Sequence, residues 1–95
     1  MDNSFVVDEV RFKKAGRRER GSGLLAFISF RLNGCLRIDG VTLRRTDAGD
    51  WALSFPERRD RLGRSHQIVR PLDQQTRRKI EHQVFTQLGL EEVVS

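Results

Sequence analysis

The sequence contains no tyrosine, one cysteine, one methionine, one tryptophan and two prolines, and each shortage removes a class of explanation. A lone Cys35 cannot close an intramolecular disulfide, so a small stapled scaffold is excluded. Without a charged-then-apolar leader at the start, a reducing cytoplasm is the expected compartment. The longest apolar run, Leu24 to Phe30, is interrupted by Ser29 and falls far short of the roughly 20 residues of a membrane-spanning helix. No membrane contact is expected. The lack of tyrosine argues against a single-strand binder built on aromatic stacking.

Chemistry-bearing clusters are equally scarce. His66 and His82 fall in different segments, and no His-x-x-x-His or Cys-x-x-Cys spacing offers metal ligands. Catalysis needs a positioned nucleophile, base and orienting group, so the chain is expected to be no enzyme and to carry no cofactor, metal or small-molecule substrate. Gly21-Ser22-Gly23 lacks the lysine of a phosphate-binding loop and reads as a flexible turn. Cys35 reads as a small, half-buried residue.

What is present is charge. Eighteen Lys and Arg face 13 Asp and Glu, a net +5. Residues 58–79 hold eight bases (Arg58, Arg59, Arg61, Arg64, Arg70, Arg77, Arg78, Lys79) and two acids, so they carry +6 and the rest of the chain sums to −1. A second cluster, Arg11 to Arg20, sets six bases against Glu19. Segregated basicity of this kind points to a polyanionic partner. With 95 residues, 37% of them hydrophobic, the chain can bury one modest core, and a homodimer is expected to supply the missing burial.

The apolar pattern predicts four strands at about 5–13, 24–32, 35–44 and 51–55. Asn33-Gly34 between two apolar runs is the strongest hairpin signal, because a tight primed turn needs positive φ at both central residues. Trp51, Leu53 and Phe55 share one face of the fourth strand, which makes Trp51 a core or dimer-interface residue. Residues 13–23 read as a mobile loop, 57–64 as an arginine-rich loop, and 65–69 as a short extended segment. Asp73 as N-cap, the Ile80, Val84, Leu88 stripe and Gly89 predict an amphipathic helix over about 73–88, with a frayed tail at 90–95. The expected fold is a single α+β domain, an antiparallel four-stranded meander followed by one helix.

Two places could bind phosphate. Arg58, Arg59, Arg61 and Arg64 present guanidinium groups suited to bidentate phosphate contacts and to stacking. Arg77, Arg78 and Lys79 lie in the first two turns of the helix, where the macrodipole makes cations costly unless an anion binds. On a helical wheel Arg78 and Lys79 point away from the apolar stripe. Arg77 lies near its axis and is suited to an internal partner or one on a second subunit. Arg17, Arg18 and Arg20 are auxiliary. These residues make nucleic acid the expected partner. The rival reading is a protein-interaction dimer in which the arginines serve solubility.

Four short motifs occur in order: Val10-Arg11-Phe12-Lys13-Lys14, then Ser54-Phe55-Pro56 with Arg58-Arg59, then Ile68-Val69-Arg70-Pro71-Leu72, then Thr76-Arg77-Arg78-Lys79-Ile80. Together they resemble the SpoVG family, the stage V sporulation protein G group, over about Val7 to Leu88. The resemblance implies an antiparallel sheet with a C-terminal helix, in a dimer whose helices are exchanged or packed across subunits. It also implies DNA binding, RNA binding in some members, and roles in gene regulation, cell division and envelope or virulence programmes. The family's basic pair matches Arg58 and Arg59, with Glu57 replacing a serine. Its Thr-Arg-Gly-Lys matches Thr76 to Lys79, with Arg78 at the glycine. His66 stands at a usual arginine, Arg70 at a usual histidine, and the Gly16 to Gly23 loop is longer. These departures bear on sequence preference more than on fold.

Overall fold

A computed structural model describes residues 5–21 and 23–90 of the protein. Its core element is an antiparallel sheet of β1 (Val7–Lys14), β2 (Leu24–Leu32), β3 (Leu36–Arg45) and β4 (Trp51–Ser54), neighbouring one another in that order. A short helix α1 (Arg17–Arg20) joins β1 to β2. A separate two-stranded hairpin, β5 (Glu57–Arg59) and β6 (Ser65–Gln67), precedes the helix α2 (Gln74–Leu88). The fold is therefore α+β, a meander followed by a C-terminal helix, as the sequence pattern predicts. Of the expected frayed tail, 90–95, Leu90 is instead held, its N–H on the Phe85 carbonyl and its side chain packed against the core, and the rest lies outside the described residues.

Alternation in β2 shows which face is buried. Leu24, Ala26, Ile28 and Phe30 point into the core with Val41 and Leu43 of β3 and Leu53 of β4, and α2 covers them with Ile80, Val84 and Phe85. Between β2 and β3, Asn33 (φ 52°) and Gly34 (φ 68°) make the tight turn, and the Cys35 N–H donates to the Leu32 carbonyl at 3.1 Å. The turn leaves Cys35 exposed, not half-buried.

The loose alternation of the first strand has a physical cause. A bulge between Asp8 and Arg11, with Glu9 at φ 44°, inserts a residue, so Val7 and Phe12 reach the same face despite their odd spacing. Phe5 precedes β1 as a partly buried core neighbour.

Helix α2 is tied to both edges of the sheet. Its N-cap Asp73 accepts the Thr76 N–H at 2.7 Å, and Gly89 (φ 74°) closes it with the Leu90 N–H on the Phe85 carbonyl. At the β1 edge, Gln83 accepts the Val7 N–H at 2.7 Å and donates to the Phe5 carbonyl, while Gln87 donates to the Val7 carbonyl. At the β4 edge, Glu81 accepts the Leu53 N–H at 2.9 Å and Arg77 donates to the Leu53 carbonyl at 2.6 Å. Helix side chains thus satisfy edge-strand backbone that would otherwise invite further pairing.

Candidate nucleic-acid interface

The arginine-rich segment is not the loop that its lack of apolar periodicity suggests. Glu57 pairs with Gln67, Arg58 with His66 and Arg59 with Ser65, making a hairpin whose residues are all exposed except Asp60. An isolated hairpin of this length is marginal in water and needs local fixing. Asp60 supplies it: one carboxylate oxygen accepts the Leu62 and Arg64 N–H groups at 2.9 Å, and the other meets Arg64 Nε at 3.0 Å and His66 Nε2 at 2.8 Å. These bonds, led by His66, hold the Asp60 carboxyl below the usual carboxylate range. The side chain of a turn residue replaces the buried core that the hairpin lacks, a signal that periodicity cannot carry.

This geometry sorts the arginines. Arg64 is turned back onto Asp60. Arg58, Arg59 and Arg61 are exposed with no hydrogen-bond or ion-pair partner among the described residues. Side chains of paired residues share a face, so Arg58 lies with His66 on one face and Arg59 with Ser65 on the other. The arm presents guanidinium groups on both sides and at its tip.

At the helix start the three cations separate. Arg77 is committed to the fold: besides Leu53 it meets Glu81 at 3.4 Å and sits 5.6 Å over the Phe55 ring. Of the two placements its helical position allows, the internal one is realised. Arg78 and Lys79 are exposed and line a shallow groove with Gln74, Gln75 and His82. The Asp73 carboxylate already occupies the Thr76 N–H, and that bond, with Lys79 nearby, depresses its own titration. Of the three cations at the helix start, Arg78 and Lys79 are the ones left exposed. Arg17, Arg18 and Arg20 belong to α1, not to an irregular loop.

One surface has no counterpart among the sequence-based expectations. The sheet face turned away from α2 carries Arg11 and Lys13 from β1, Phe27 and Ser29 from β2, Thr42 and Arg44 from β3, and Ser54 from β4. Its signal lies in β2, where Phe27 is the exposed position of an otherwise in-out alternation. Nearby, Asp8, Glu9, Arg31 and Arg37 neutralise one another in an ion-pair cluster, and the Arg31 contact holds the Asp8 carboxyl below its ordinary range. Among the described residues, no group of three or more His, Cys, Asp or Glu side chains is arranged to hold a metal, and no helix is long and apolar enough to cross a membrane.

No family model matches the chain. It is similar to curated proteins named as SpoVG septation proteins. Identity is 28% over 79 residues with those of Borreliella burgdorferi and Borreliella afzelii, covering 83% of this chain and 80% of each relative. With that of Borrelia hermsii it is 27% over 79 residues, covering 83% of this chain and 81% of the relative.

Proposed function

The chain is a divergent member of the SpoVG family, and we propose that it is a nucleic-acid-binding regulator that grips DNA, and RNA as well, through its β5–β6 arm and the start of α2. The names of its relatives accord with a regulatory or cell-division role. The observation that carries the binding reading is the arm itself, an exposed ribbon whose Arg58, Arg59 and Arg61 have no acidic partner among the described residues. A two-stranded ribbon fits the major groove of duplex DNA, and guanidinium groups on both faces can reach the two flanking phosphate backbones. Arg78 and Lys79 supply a second point of contact.

A homodimer belongs to the same proposal. Leu62, Ile68 and Leu72, on the arm and the segment that follows it, are 77%, 62% and 88% exposed, an apolar surface suited to a second copy. Two copies would duplicate the basic arm about a two-fold axis. The same apolar residues favour the second reading, in which this surface docks a different protein and the arginines keep it soluble.

Salt separates the readings. Each phosphate neutralised on duplex DNA contributes about −0.9 to the slope of log affinity against log salt. Replacing Arg58 and Arg59 by alanine is expected to weaken binding to duplex DNA and RNA and to make the slope shallower by about 2. Unchanged affinity and slope in that variant would overturn the basic-arm mechanism in favour of protein docking.

A further inference from the structure

The sheet face opposite the helix carries a patch that the arm does not explain. Lys13, Phe27, Thr42 and Ser54 stand in direct cross-strand register across all four strands. At strand spacing the row is about 14 Å wide. Phe27, at its second position, is 40% exposed, although a phenylalanine at the centre of a sheet ordinarily earns its place by burial. On the open face Arg11 and Ser29 flank it on one side and Arg44 lies on the other, while Phe12 and Ile28 also line the depression it borders. Arg11 and Lys13 make no ion pair among the described residues, and Asp39 is the acid on the rim of this depression.

The patch is also continuous with the arm. The depression lined by Arg11, Lys13, Phe27, Ser29 and Asp39 meets, at Gly40, a second one lined by Thr42, Arg44 and Ser54 that ends at Pro56, Glu57 and Gln67 of the arm's base. Gly40 suits this junction. Its φ is 77°, and a Cβ at this position would lie 3.2 Å from Pro56 Cβ, so a side chain here would be strained and would crowd the base of the arm where it meets the sheet.

We propose that this open face is a binding site for single-stranded nucleic acid, with a splayed base stacked on Phe27 and its flanking phosphates on Arg11, Lys13 and Arg44. The lack of tyrosine counts against a binder built on many stacked rings, but one ring suffices to hold one base, and a ring on an open sheet face reaches a base only when that base is unstacked, which excludes duplex and selects single strands. Hydroxyls of Ser29, Thr42 and Ser54 lie where the edges of a stacked base would fall, and the row has room for two or three bases. The chemistry is common to DNA and RNA strands. The inference rests on the nucleic-acid reading above but uses different residues, and it assigns single strands to the sheet and duplex to the arm.

The test measures anisotropy of labelled oligonucleotides of about 12 nucleotides, single-stranded DNA and RNA, beside a duplex of the same sequence. Phe27→Ala is expected to weaken single-strand binding about tenfold or more, to leave duplex binding within about twofold, and, because phenylalanine is uncharged, to leave the salt slope unaltered. Phe27→Leu, which keeps apolar bulk without a stacking ring, should match the alanine variant, whereas Phe27→Tyr should bind as the parent does. Lys13→Ala should lower both single-strand affinity and slope. Equal single-strand affinity for parent and Phe27→Leu would overturn the inference, as would a Phe27→Ala protein whose change is in oligomeric mass, since the face would then be a protein interface. If only the Arg58 and Arg59 variant loses binding, the arm reading stands and the sheet site falls. If neither variant loses any, both fall.

Discussion

Arg77 and its neighbour Arg78 show how little a residue's charge says about its use. Arg77 holds the carbonyl of the edge residue Leu53 and sits over Phe55, while Arg78 makes no hydrogen bond or ion pair among the described residues. Replacing Arg77 by alanine leaves that carbonyl and Glu81 without their cation. With its side chain about one-third exposed, the loss should be about 1–2 kcal/mol, read as a fall in Tm of roughly 5 °C or more. Replacing Arg58 and Arg59 should leave Tm nearly unchanged, because their exposed side chains make no hydrogen bond or ion pair among the described residues. Equal melting of the two variants, measured by circular dichroism, would refute the structural role given to Arg77.

At the scale of elements, the arm depends on a carboxylate where other strands depend on a core. Asp60, Asp8 and Asp73 all titrate below their ordinary range, held there by His66, Arg31 and the Thr76 N–H respectively. A folded pKa below the unfolded one means that each ionised group stabilises the native state at neutral pH, and that this contribution disappears as pH falls through the folded value. Tm should therefore be flat with respect to these groups down to about pH 5 and decline below about pH 4. In Asp60→Ala the amides of Leu62 and Arg64 should exchange rapidly with solvent at neutral pH, while amides of β2 and β3 stay protected, observable by NMR. Protection of the arm amides in that variant would show that something other than Asp60 orders the turn.

For the whole molecule, Leu62, Ile68 and Leu72 stay exposed while the core among the described residues holds 12 buried apolar residues. Light scattering at micromolar concentration is expected to give twice the chain mass of 11.0 kDa, with a Tm that rises with protein concentration. Ile68→Glu with Leu72→Glu should give a monomer that keeps the helix and sheet signal. A monomeric parent with a concentration-independent melt would rule out the dimer.

Features that rest on local interactions are legible in the chain by itself. Asn33-Gly34 demands positive φ, Asp73 and Gly89 end a helix by their own side-chain and backbone chemistry, and the Leu24 to Phe30 alternation names a buried face. The segregation of arginine into residues 58–79 is likewise a property of the chain. Other features leave no trace in the apolar pattern or exist only through contacts distant in sequence. The arm forms because the Asp60 carboxylate gathers Leu62, Arg64 and His66, two to six positions on, and the Pro56 carbonyl takes the Ile68 N–H, bonds that no periodicity records. Arg77 leaves the binding surface because folding brings Leu53 to it from 24 positions away. The basic row around Phe27 is assembled from four separate strands, so each of its members looks like an ordinary surface residue until strand register sets them side by side.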